Sequence, residues 1–192
     1  MRTLVVVGVL FCVAGVAVAQ DLPKAEIFTG YSYGNFSILS DRSSLNGWNA
    51  SATVNFYRWF GLTTDFGGLY GGSATETQPP PVSITETLNQ KFHTFLFGPQ
   101  VAYHRGRVSV FAHFLVGETL VSEHLVNLCT GVTCLATFNS RSSSGTALPG
   151  GGLDYAFGRN LAWRVQADYL PLGVTNDVRV STGLVFRIGK HD

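Results

Sequence analysis

A chain of 192 residues is long enough for one domain with a sizeable core and short for two. Only 13% of the residues are charged while 12% are aromatic and 22 are glycine, which excludes a disordered polyelectrolyte and favours an all-β protein over a helical bundle. Thirteen basic residues stand against 12 acidic ones, so the global charge gives no reason to bind nucleic acid.

The first 19 residues read as a secretory signal peptide. Arg2 supplies the positive start, Leu4 to Val18 is apolar, and Ala17-Val18-Ala19 is the small-x-small pattern that precedes cleavage, with Gln20 as the new N-terminus. The apolar run falls short of the ~20 residues of a spanning helix, and Phe11 is a poor residue before a lipidated cysteine at Cys12. Export bears on the remaining cysteines. Cys129 and Cys134, in CTGVTC, are expected to form a local disulfide in an oxidising compartment. A metal site built from His124 and both cysteines is the rival, and it lacks a fourth ligand.

After residue 19 the recurring feature is period-two alternation in segments of about ten residues, the pattern of transmembrane β-strands. The first predicted strand, Ala25 to Gly34, carries Ile27, Tyr31 and Tyr33. In Gly47 to Tyr57, Trp48, Ala50, Ala52, Val54 and Phe56 share one face, opposite Asn49, Ser51, Thr53 and Asn55. Phe60 to Tyr70 sets Leu62, Phe66 and Tyr70 against Thr63 and Asp65. His93 to His104 aligns Phe95, Phe97, Val101 and Tyr103. Arg107 to Glu118 sets Val108, Val110, Ala112, Phe114 and Val116 against Ser109 and His113. Thr146 to Phe157 sets Leu153, Tyr155 and Phe157 against Asp154. Leu161 to Pro171 sets Trp163, Val165, Ala167 and Tyr169 against Arg164, Gln166 and Asp168. Asp177 to Ile188 sets Val178, Val180, Leu184, Phe186 and Ile188 against Arg179, Ser181 and Arg187.

Eight strands, an even number, return both ends to one side. Short turns are expected near Arg58-Trp59, Arg105-Gly106 and Arg159-Asn160. Longer links are expected over 35–46, 71–92 and 120–145. The second of these holds Pro79-Pro80-Pro81, and the third holds the cysteine pair and a flexible run from Ser140 to Ser144. Alternation alone does not say which face is outside, and a soluble lipocalin-like barrel has the same strand count. Two features favour apolar-out. Charges occupy the middle of the polar faces, and aromatics flank both ends of the apolar ones, as in the interfacial girdles of outer-membrane barrels. Inward glycines (Gly61, Gly67, Gly98, Gly117, Gly150, Gly152 and Gly183) would leave room for long arginines.

The whole chain after the signal resembles the small outer-membrane β-barrels of OmpA type. Ser181-Thr182-Gly183-Leu184-Val185-Phe186-Arg187-Ile188 resembles the C-terminal signal read by the barrel assembly machinery, with Gly183, Phe186 and Ile188 at its key positions. Ile188 stands where that signal has an aromatic, and Gly189 to Asp192 trail after it. The resemblance implies an eight-stranded antiparallel up-and-down transmembrane β-barrel in the outer membrane, over residues 20–192, with both termini periplasmic and outer-membrane lipid around it.

The inward charges are the most informative residues for function. Asp65, Asp154 and Asp168 are expected to pair with Arg164, Arg179 and Arg187, because an unpaired charge inside the barrel is costly. The leading reading of that group is a structural lock, and the alternative is a narrow ion pathway. His113, with Ser109 and Glu118, invites a lipid-hydrolase reading. However, Ser109 and His113 lie about 13 Å apart along one strand and Glu118 points to the other face, so His113 is taken as a polar lumen residue; His93, His104 and His124 are taken as interfacial or loop residues. Gly150-Gly151-Gly152 lacks the Lys-Ser/Thr of a phosphate loop, and no pattern asks for a cofactor. Arg58, Arg105, Arg107 and Arg159, with Lys24 and Lys190, make the short-turn end basic, suited to anionic headgroups or to water. The expectation is a non-enzymatic envelope protein whose exposed loops bind an unidentified partner.

Overall fold

The computed structural model describes residues 23–38, 41–77, 83–130, 134–172 and 175–189, with side chains described for all of these except 36–38, 41–43, 72–77, 83–89, 125–130, 134–136, 171–172 and 175–176. The expected signal peptide, its Ala19–Gln20 junction and the proline run fall outside the described residues. Eight strands form a closed antiparallel ring: β1 (Ala25–Ile38), β2 (Asp41–Tyr57), β3 (Phe60–Thr77), β4 (Ser83–Arg105), β5 (Val108–Thr130), β6 (Cys134–Ala156), β7 (Leu161–Leu172) and β8 (Thr175–Ile188). Each strand pairs with its sequence neighbours, and β8 closes on β1 with Ala25 opposite Ile188. Within the closed part of the ring every strand has a partner on both sides, the condition for sheet to cross hydrocarbon, whereas among the described residues β3 beyond Gly71 and β6 before Gly150 pair on one side only.

The alternation resolves as apolar-out. Phe97 (61% exposed), Trp163 (51%) and Val165 (48%) project from the wall, as do Trp48, Leu62, Val110, Phe114 and Leu184. The alternate residues point into the lumen, where Arg164 and Arg179 are each 1% exposed. A water-soluble barrel would invert these faces. Here each large outward side chain gains about 1.5–3 kcal/mol on transfer from water to an apolar medium, and lipid supplies that medium.

Aromatics ring both ends of the apolar band. At the short-turn end stand Tyr57, Trp59, Tyr103, Tyr155 and Phe157, with the Tyr57 and Trp59 rings stacked 6.3 Å apart. At the other end Trp48 Nε1 donates to the Tyr70 hydroxyl (3.3 Å). That hydroxyl in turn lies 3.1 Å from His93 Nε2, while Tyr31 donates to Asn46. Such amphipathic rings suit the boundary between hydrocarbon and headgroups. The short turns follow the sequence expectation. Gly106 takes φ +63°, a left-handed position that glycine fills without strain, in the β4–β5 turn.

The long links do not. Residues 35–46, 71–92 and 120–145, expected as loops, are largely strand. β4, β5 and β6 each run 23 residues, about 75 Å of extended chain, where crossing needs only 9–11 residues. The remainder continues as sheet beyond the apolar band. The run from Ser140 to Ser144, expected to be flexible, is part of β6 and pairs with Thr119 to Glu123. These segments lack a sustained apolar/polar alternation, so the pattern did not reveal them, yet the register carried up from the membrane-crossing part continues unbroken along β5 and β6. At Gly71, φ +120°, the β3–β4 pairing slips by one residue, a bulge placed where this hairpin leaves the band.

Candidate functional site

The lumen is filled in three layers. Nearest the short turns, the Arg164 guanidinium is clamped by Asp154, with Nε to Oδ1 at 2.7 Å and Nη2 to Oδ2 at 2.8 Å, and it also donates to Glu26 Oε2 at 3.0 Å. Its central carbon sits 4.2 Å from the Phe111 ring centroid and 5.5 Å from that of Phe28, close enough for cation–π attraction. Arg187 lies below, 3.3 Å from Glu26 Oε1 and 3.4 Å from both Asp154 Oδ2 and Ser109 Oγ. Two arginines thus meet two carboxylates.

The middle layer is organised by Arg179. It donates to Asp168 Oδ2 from Nε (3.0 Å) and Nη2 (2.8 Å), and to Asp65 Oδ1 from Nη1 and Nη2 (3.1 Å each). The other oxygen of Asp168 lies 2.9 Å from His113 Nε2, and the other oxygen of Asp65 accepts from Asn49 Nδ2 at 2.8 Å. Gln166 bridges Asp168 and Asn49. Gly67 and Gly150 leave the space this layer occupies. A Cβ at Gly67 would fall 2.9 Å from Arg179 Nη1, and one at Gly150 would fall 2.2 Å from Asp168 Oδ1.

Above lies an aliphatic layer: Leu45, Leu69, Leu96, Leu115, Leu148 and Leu170, packed with Phe92. Leu45, Leu115, Leu148 and Leu170 are fully buried. The structure therefore brings Asp154, Arg164 and Arg187 into one cluster and Asp65, Asp168, Arg179 and His113 into another. It separates Ser109 from His113. The serine bonds to Arg187, the histidine to Asp168, and Glu118 is exposed on the outer face.

Sequence reasoning missed three participants. Glu26 was legible, since the alternation that places Ile27 outside places Glu26 inside. Phe28 and Phe111 were not, because an inward aromatic breaks the polar-in pattern, and the leucine layer was hidden for the same reason. Gly183 lies opposite Gly30 in β1, where a Cβ would come 2.1 Å from the Thr29 carbonyl oxygen, and Phe186 and Ile188 face outward. Cys129 stands opposite Cys134 in the β5–β6 register; the side chains of this pair, and the rival metal site that uses them, fall outside the described ones. His124, expected at an interface or in a loop, is in β5, with Nδ1 2.6 Å from Asn139 Oδ1.

Beyond the leucines the extended sheet carries a polar cleft of about 860 Å³ lined by Lys91, Ser122, Glu123, His124 and Arg141 among others. Gln90 donates to its register partner Glu123 at 2.9 Å. Among the described residues no group of three or more His, Cys, Asp or Glu could hold a metal ion, and no helix is long and apolar enough to cross a membrane.

No protein-family model and no curated protein matches the chain. Solved structures do. Ail, the attachment invasion locus protein of Yersinia pestis, superposes with a TM-score of 0.59 at 15% identity, covering 87% of this chain and 99% of that one. The same protein in complex with the heparin analogue sucrose octasulfate gives 0.57 at 14% identity, with 87% and 99% coverage. The outer membrane protein OprG from Pseudomonas aeruginosa gives 0.50 at 11% identity, covering 90% of this chain and 96% of that one. At these identities the likeness is one of fold, and the fold is the eight-stranded transmembrane β-barrel.

Proposed function

We propose that this chain is a non-enzymatic outer-membrane protein that seals its own lumen and offers the extended β3–β6 sheet to a partner outside the cell. One observation carries the reading. The barrel interior is closed by two charge clusters and a leucine layer, while the strands continue well past the apolar band. A closed interior has no path for solute, and surplus strand is costly to order unless it is used. In this reading residues 1–19 direct export and are cleaved between Ala19 and Gln20. The short turns and both termini face the periplasm, where exposed Arg105, Arg107 and Arg159 meet anionic headgroups. Gly183, Phe186 and Ile188 serve the assembly machinery, and a Cys129–Cys134 bond ties the hairpin tip. Ail, a barrel of similar fold, is solved in complex with the heparin analogue sucrose octasulfate, which supports ligand binding on this fold.

The test is gel mobility of the outer-membrane fraction with and without boiling in SDS, together with protease treatment of intact cells. A faster unboiled band, trimmed only in β3–β6, is the expected result. Recovery in the soluble periplasm without a heat shift, or cleavage only at the short turns of opened cells, would overturn it.

A further inference from the structure

On the outer side of the wall, at the outer edge of the aromatic girdle, one row of the sheet reads Lys91, Ser122, Arg141. These residues are direct register partners on β4, β5 and β6. Two inter-strand spacings separate the cations, about 10 Å. Their direction follows from alternation: Lys91 shares its face with lipid-facing Phe95 and Phe97, Ser122 with Val116 and Leu120, Arg141 with Leu153. His93, two residues from Lys91, belongs to the girdle through Tyr70, and Tyr70 is the register partner of Lys91 on β3, so the row begins at the girdle's outer edge. Lys91 and Arg141 are exposed, and among the described residues neither is engaged in an ion pair. Glu123 points to the opposite face and is held by Gln90, and the carboxylate exposed on the row's own face, Glu118, lies two rows nearer the hydrocarbon, opposite Phe95.

We propose that Lys91, Ser122 and Arg141 form a docking site for the phosphorylated saccharide headgroup of a membrane lipid in the leaflet at the long-strand end. Continuity with the apolar band selects a lipid over a soluble glycan. The acyl chains lie against Phe95, Phe97 and Val116 while the phosphates reach two cations at headgroup height, with the serine hydroxyl donating between them. The inference rests on the membrane reading above and names the partner at one side of that extended sheet.

The experiment uses the full barrel folded in detergent, with the temperature of its SDS mobility shift as the readout. Diphosphoryl lipid A is expected to raise that temperature, and the same lipid stripped of both phosphates is not. The double variant K91Q/R141Q should bind diphosphoryl lipid A about thirtyfold more weakly, about fivefold for each cation removed. Lys91→Arg with Arg141→Lys should keep the response, and Arg105→Gln with Arg159→Gln, at the opposite end, should leave it unchanged. An equal shift in wild type and K91Q/R141Q would overturn the site. Binding of soluble sucrose octasulfate with the same residue dependence, and no preference for the lipid, would overturn the occupant. A protein with no heat shift at all would defeat the membrane reading rather than this one.

Discussion

Arg179 on β8 reaches across the barrel axis to Asp65 on β3, with Nη1 and Nη2 each 3.1 Å from Oδ1, joining residues 114 positions apart in sequence. The same guanidinium holds Asp168 on the neighbouring strand β7. One side chain therefore ties three strands of the ring, and its removal leaves two buried carboxylates facing each other. Breaking a buried pair from one side costs about 3–5 kcal/mol. Arg179→Met is expected to lose stability of that order in urea unfolding of the barrel folded into lipid vesicles. The triple variant R179M/D65N/D168N should recover most of the loss, because neutral amides need no counter-charge. A triple variant no more stable than Arg179→Met would mean that packing, and not charge pairing, sets the contribution of Arg179.

The membrane-crossing wall was legible because hydrocarbon outside and polar groups inside impose opposite chemistry on alternate residues, as in Trp163, Arg164 and Val165. The extended sheet was not, because both its faces meet water. Segments such as Ser140 to Ser144 carry no alternation to read, and their register is inherited from β5. Within the lumen, Asp65, Asp154 and Asp168 were visible as charges out of place on strands. Their sorting into two clusters depends on the tilt and closure of the ring, which place Arg179 over Asp65 and Arg164 beside Glu26 and which no single strand encodes.

The leucine layer bears on conduction. Leu45, Leu115, Leu148 and Leu170 leave no accessible surface, and the charge layers beneath are also closed. Planar bilayers containing the protein are expected to show no current above leak. Leu115→Ala with Leu148→Ala removes part of the upper seal and should cost about 2–5 kcal/mol per site, yet it should still not conduct, because Arg179 and its partners remain. Steady unitary currents from the unaltered protein would support the pore reading instead.

Closure of the ring passes through a glycine pair, Gly30 opposite Gly183, where a Cβ at Gly183 would come 2.4 Å from Gly30 Cα. Gly183→Ala must push β1 and β8 apart. It is expected to lower the yield of unassisted folding into detergent as well as assembly in cells. Ile188→Ala, on the exposed outer face, should fold normally in detergent and fall short only in cells, if the terminal strand is read by the assembly machinery. Comparing the heat-shifted fraction in the two settings separates the roles. Normal detergent folding of Gly183→Ala would show that the seam tolerates a methyl group there.

The apolar-out assignment makes its own demand on the wall. Val165 is 48% exposed, lies in the middle of β7, and shares its face with Trp163 and Ala167. An arginine placed at the midplane of a lipid-facing strand costs about 2–4 kcal/mol, and the cost falls toward the interfaces. Val165→Arg should therefore lose about that much stability in vesicles, whereas Val178→Arg, nearer the long-strand end of β8, should lose less. Were this same outer face in water rather than lipid, neither substitution would carry the penalty. Urea unfolding of the two variants against the parent protein in vesicles measures the difference, and equal stability of all three would remove lipid from the account of what holds the outer face.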